Sequence, residues 1–201
     1  MEKRKIRSMK ALFFAVWACL IGFCYWALIA YSASSGASNH MADSKIWPRD
    51  TTLARSKGRF TLVTFMHPYC PCSRASLNEL SKIMTRTHNN MDCQIVFIKP
   101  SSCESKWEKS DLWRMSTLIP NSQRKTDVDG VIAKSFNATT SGQTFLYDQD
   151  GKLVFAGGVT SSRGHEGDSL GSIAIENLSA AKKTKANCSQ VFGCPLFEKK
   201  I

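Results

Sequence analysis

Residues 60–80 read FTLVTFMHPYCPCSRASLNEL, a short apolar run, a proline-bearing corner with two cysteines, and then a polar stretch with leucines at helical spacing. The run FTLVTF is β-branched and aromatic, lies between Gly58 and Pro68, and has the length of a buried strand. Leu77, Leu80, Ile83 and Met84 then recur every three or four residues, which predicts a helix starting close to the cysteines. A strand that turns through cysteine into a helix is the opening half of a crossover unit, so the segment predicts an α/β sheet.

The flanking sequence extends that pattern. QIVFI (94–98) is a second buried strand stopped by Pro100, and TFLY (144–147) and KLVF (152–155) flank a DQDG turn that predicts an antiparallel hairpin. Residues 103–118, CESKWEKSDLWRMSTL, set Trp107, Leu112, Trp113 and Leu118 in a charged background and predict an inserted amphipathic helix. A short helix is expected after Asp129-Gly130. A last one is expected with Leu170, Ile173, Ala174, Leu178 and Ala181 on its apolar face. The predicted order is β, α, β, inserted helix, α, β, β, α, with parallel pairing early, an antiparallel hairpin late, and helices on both faces of a mixed sheet.

The N-terminal end differs from the rest. ALFFAVWACLIGFCYWALIAY (11–31) carries no charge and is about long enough to cross a hydrocarbon core as a helix. Lys3, Arg4, Lys5, Arg7 and Lys10 precede it and no base follows at once, which predicts a cytoplasmic N-terminus with all that follows outside. A single-pass anchor in the inner membrane, with the C-terminal domain facing the periplasm or exterior, is the expectation; a cleaved signal peptide is its rival. The divisions are then 1–10, a cytoplasmic basic segment; 11–31, the anchor in contact with membrane lipid; 32–45, a small-residue tether; 46–183, the folded domain; and 184–201, a cysteine-containing extension. The formal charge of +11 includes these terminal bases, and no arginine stripe interleaved with aromatics marks a nucleic-acid surface.

That topology places Cys70, Cys72, Cys93, Cys103, Cys188 and Cys194 where disulfides persist. A cysteine at a helix start faces unpaired N–H groups that favour thiolate, so Cys70 is the expected nucleophile, exposed to solvent, with Arg74 one turn on as a further stabiliser and Pro71 at the first helical position. Cys72, only two residues away, would make a strained bridge with Cys70. VFGCPLF (191–197) is too apolar for a free tail and is expected to fold back. Cys194 then either resolves Cys70 or forms a structural bridge with Cys188, and Cys93 is expected in the core. Two thiolates near a histidine are a soft donor set, which makes Cys70, Cys72, His67 and His165 the candidate ligands for Cu(I) or Zn; no other cofactor is indicated.

VTFMHPYCPCSRASLNEL and TFLYDQDGKLVFAGG together resemble the thioredoxin-like superfamily over residues 59–181. The resemblance is nearest to its membrane-anchored branch of TlpA-like and peroxiredoxin-like exported proteins. HPYCPCSRAS, TSGQTFLYD, SSRGHEGD and VFGCPL suggest a narrower likeness to the group labelled RedB. The resemblance implies a thioredoxin-like fold and a thiol-disulfide oxidoreductase acting on protein thiols and disulfides. A Sco-like Cu(I) chaperone and a non-catalytic interaction domain are the alternatives. In that frame Ser73 stands where the family has its resolving cysteine, and Gly142 where it has a cis-proline covering the sulfurs.

Overall fold

The computed structural model describes residues 2–37, 45–87, 90–184 and 186–197. It divides into two compact units that meet at Ser34 and Ser35. The first is a single helix, α1 (Glu2–Ala33), whose portion from Arg4 to Ala33 is long and apolar enough to cross a membrane, a test that a signal sequence near the N-terminus also passes. The basic segment is therefore helical and continuous with the apolar run.

The second unit is a five-stranded mixed sheet in the order β3-β2-β1-β4-β5. Here β1 is Phe60–Met66, β2 Met91–Lys99, β3 Ser122–Val128, β4 Gln143–Tyr147 and β5 Leu153–Gly157. Strand β1 lies in the middle, parallel to β2 (Thr64 beside Ile95) and antiparallel to β4 (Thr64 beside Thr144). Its continuous apolar run follows from that place, since neighbours and helices cover it on every side. The two-residue period of the strand sorts its side chains. Leu62 and Met66 face α2 (Ser73–Thr87) and α5 (Leu170–Ser179), and Val63 and Phe65 face α4 (Val131–Ser135) together with Trp47 and Leu196. Burial of Leu77, Leu80, Ile83 and Met84 holds α2 down, at about 1.5–3 kcal/mol of gross stabilisation for each side chain before entropy is counted.

The structure corrects four expectations. The first concerns β3, which the sequence reading missed. SQRKTDV has no apolar run because this is an edge strand, and Arg124 and Lys125 are charges of the kind that keep edges from pairing with other chains. Of the inserted helix only α3 (Asp111–Ser116) forms; residues 103–110 turn irregularly until Ser110 caps the helix. The face of α5 is rotated as well, with Ala174 and Ile175 buried while Leu170 and Ile173 are exposed. This ten-residue helix, capped by Ser169, buries Gly171 and Ser172 along with Ala174 and Ile175 and turns Leu170 and Ile173 out. Lastly, the tether of 32–45 is helical up to Ala33, and Gly36 donates to the Val191 carbonyl at 2.8 Å while the Lys45 carbonyl accepts from Leu153 N–H at 2.8 Å. Residues 38–44 of the tether and 198–201 of the extension lie outside the described residues.

One polar group organises α4. Gly130 at its start offers no side chain, yet the buried carboxylate of Asp127, at the end of β3, accepts the N–H groups of Ile132 and Ala133 at 2.9 and 2.8 Å. Those bonds satisfy donors that would otherwise be orphaned at a helix start.

Candidate active site at the β1–α2 corner

Strand β1 delivers the chain to His67, and two tight turns then wind it into α2. Cys70 N–H bonds His67 O at 3.1 Å, Ser73 N–H bonds Cys70 O at 3.1 Å, and Arg74 N–H bonds Pro71 O at 3.4 Å. Helix α2 therefore begins at Ser73 rather than at Pro71. Pro71 lies in the turn, where its missing N–H again costs nothing.

The expectation of an exposed nucleophile is corrected here: Cys70 is 1% exposed and Cys72 8%. The cover is the C-terminal extension, which returns to the domain as the apolar composition of 191–197 requires. Val191, Phe192 and Leu196 are buried. Pro195 pairs antiparallel with Thr140, Ser141 N–H donates to Cys194 O at 2.8 Å, and Leu196 N–H donates to Thr139 O at 2.9 Å. This short strand lies on the residues leading into β4 and carries Cys194 to Cys70, its backbone nitrogen 3.3 Å from Cys70 Sγ. Of the two pairings left open for Cys194, the structure brings it to Cys70. Cys188 is exposed and pairs through its backbone with Ala156, and no cysteine is in a disulfide among the described residues.

Two glycines make this packing feasible. Gly142 has φ +88° and donates its N–H to Phe65 O at 2.7 Å. A proline here would lack that N–H and could not adopt that φ, and a Cβ at 142 would lie 3.0 Å from Ser76 Oγ. At Gly193 a Cβ would sit 1.9 Å from the Ser141 carbonyl oxygen, so no other residue allows the segment to lie this close.

The electrostatics separate the three sulfurs. Burial alone would raise the Cys70 thiol, but side-chain hydrogen bonds from Cys194 and Ser73, with the backbone N–H groups of the same two residues, outweigh it and hold Cys70 below the ordinary thiol value. Burial, together with the hydrogen bond and charge of Cys70, pushes Cys194 up to about 12. Cys72 is also raised, by burial and then by the Cys70 charge, against a partial offset from the Arg163 guanidinium. The surroundings thus favour the charged form of Cys70 and disfavour that of Cys72 and Cys194. Ser73 is a donor to Cys70, and its Oγ shares a 2.7 Å hydrogen bond with Ser141 Oγ.

Arg163 was not foreseen. It lies in the loop after β5, bonds Gly193 O at 2.8 Å through Nη1, and faces Cys72. Nothing in the sequence ties it to a cysteine 91 positions earlier. Arg74, expected to stabilise Cys70, instead places Nη1 2.8 Å from Met115 Sδ. It lines a cleft of about 420 Å³ with Tyr69, Cys70 and Arg114. His67 is buried enough to hold its imidazole below the ordinary value; Nδ1 accepts Tyr69 N–H at 3.2 Å and the ring stands edge-on to Trp107. A second cleft, about 680 Å³, is bounded by His67, Cys103, Trp107 and Phe197, and none of the three site sulfurs lines it. His165 is exposed on its loop. Cys93 is buried in β2, where desolvation pushes its thiol up to about 12. Sulfur donors suit Cu(I), but no group of three or more His, Cys, Asp or Glu side chains is arranged to hold a metal ion among the described residues.

A parallel β1–β2 pair joined by a crossover helix, an antiparallel β4–β5 hairpin, and cysteine at the β1–α2 corner define a thioredoxin-like fold. No family model matches the sequence and no curated protein matches it. Among solved structures, a hypothetical protein from Sinorhizobium meliloti 1021 is similar at a TM-score of 0.56 and 16% identity, over 70% of this chain and 80% of that one. An uncharacterized conserved protein from Geobacillus kaustophilus matches at 0.56 and 15%, over 85% and 92%. A secreted Mycobacterium tuberculosis disulfide oxidoreductase, described as homologous to E. coli DsbE, is more remote, at 0.44 and 17% over 62% and 83%. At these identities the likeness is one of fold.

Proposed function

We propose that the protein is a thiol-disulfide oxidoreductase of the membrane-anchored, extracytoplasmic kind, with Cys70 as nucleophile and Cys194 as its resolving partner. The observation that carries the reading is the Cys194 N–H set 3.3 Å from Cys70 Sγ, which brings the two cysteines together in a chain that also has an N-terminal helix apolar enough to cross a membrane. The Cys70 thiolate attacks one sulfur of a substrate disulfide; that S–S bond breaks, and the first substrate thiolate leaves and takes up a proton. Cys194 then gives up its proton and attacks Cys70 Sγ, forming the Cys70–Cys194 bond and releasing the second substrate thiol. The substrate gains two electrons and the protein dithiol loses them, and an external dithiol reverses the change. Cys72, facing Arg163, is a second sulfur able to intercept the mixed disulfide.

The test is turnover of a protein disulfide by the full chain in detergent, with thiol mapping of trapped intermediates. Cys70→Ser should abolish turnover, and Cys194→Ser should accumulate a Cys70 mixed disulfide. Full activity in Cys70→Ser overturns the reading. Soft-metal handling, the second reading, rests on the same sulfurs. Stoichiometric Cu(I) lost together on Cys70→Ser and Cys72→Ser, without redox turnover, would favour it.

A further inference from the structure

The segment that covers Cys70 is held as a partner strand would be. Cys194–Leu196 makes the antiparallel bonds that an added strand makes to a sheet edge, using Ser141 N–H and Thr139 O, and it places a cysteine on the nucleophile. Val191 and Phe192 are buried and Val191 O accepts Gly36 N–H at 2.8 Å; beyond Gly193 the hold consists of backbone bonds, the place of Leu196 in the apolar cluster that includes Val63 and Phe65, and the partly buried Phe197 packed against that cluster, and these contacts are what must be released to uncover Cys70. Proline at 195 donates nothing. Gly193 joins the part tied to Gly36 to the part that pairs with Thr139 and Ser141.

Resting on the oxidoreductase reading, we propose that residues 194–197 are a detachable strap. It occupies the place of the substrate, which is an extended polypeptide that pairs with Thr139 and Ser141 and carries its reactive cysteine after a small residue. In the dithiol form the strap lifts and the substrate strand takes its place, bringing its disulfide to Cys70. Return of the strap re-forms the same bonds, presents Cys194 to the mixed disulfide, and evicts the reduced substrate. The new Cys70–Cys194 bond ties the strap down, so the oxidised protein is closed until a dithiol reduces it. The small residue is required because a Cβ at the position before the cysteine would meet the Ser141 carbonyl.

Hydrogen exchange on the reduced full chain reads the opening without any variant. The amides of Cys194 and Leu196 should exchange together and long before Val63 and Ile95, and should slow once the Cys70–Cys194 bond forms. Leu196→Ala should speed labelling of Cys70 by a bulky polyethylene-glycol maleimide about thirtyfold, the population change that loss of one buried leucine side chain brings. A peptide of the 191–197 sequence with serine in place of cysteine should suppress that gain. Protection of Leu196 equal to that of the central strands, labelling of Leu196→Ala at the wild-type rate, or failure of the peptide to protect would each overturn the strap. None of these readouts needs turnover: catalysis without opening sinks the strap alone, and opening without catalysis sinks the oxidoreductase reading alone.

Discussion

Replacing Cys194 by alanine removes the side chain that does most to hold the Cys70 thiol below its ordinary value, while the backbone N–H at 3.3 Å remains. A hydrogen bond to a charged group contributes about 1.5–3 kcal/mol, and one pKa unit corresponds to about 1.4 kcal/mol. The Cys70 pKa should therefore rise by about one to two units. The sign follows from which form is bonded: Cys194 S–H donates to the thiolate, so its loss disfavours the charged form and shifts reactivity to alkaline pH. The assay is the rate of Cys70 alkylation by iodoacetamide against pH in the reduced protein, read peptide by peptide by mass spectrometry. Cys72→Ala is the control, because Cys72 is not among the main groups that lower Cys70. It should move the midpoint less than Cys194→Ala does. An unmoved or lowered midpoint in Cys194→Ala, or a larger rise in Cys72→Ala, would refute the assignment of Cys194 as the stabilising partner.

Three further outcomes follow from the packing. Asp127→Ala should destabilise the domain by about 2–4 kcal/mol in a denaturant titration, since it orphans two buried N–H groups at the start of α4; Asp127→Asn should recover part of that loss. Gly142→Pro should fail to give a stable domain by thermal melting, because it removes the bond to Phe65 O and cannot reach φ +88°. Cys93 should resist iodoacetamide in the native state at pH 8 while Cys70 reacts, and should label only on unfolding, as a thiol desolvated in β2 and raised to about 12 requires.

Much of the fold is written in local pattern. FTLVTF, QIVFI and the DQDG hairpin announce β1, β2, β4 and β5 because buried strands and tight turns need particular residues whatever surrounds them. The same holds for α2, whose leucine spacing is the spacing of its buried face. Strand β3 escaped because this edge strand is polar, and its pairing is fixed by the neighbour it bonds rather than by its own apolar content. The face of α5 escaped because small residues bury without raising the hydrophobic signal.

The candidate site divides along the same line. Sequence alone singled out Cys70, since a cysteine between a buried strand and a helix is a local arrangement, and it made 191–197 an apolar segment that must return to the domain. Whether Cys194 met Cys188 or Cys70 was decided by the hydrogen bonds of Thr139, Ser141 and Leu196. Burial of Cys70 beneath that segment, and the appearance of Arg163 against Gly193 and Cys72, were settled there as well. Contacts between residues as much as 124 positions apart depend on how completed layers pack, and no local propensity encodes that distance.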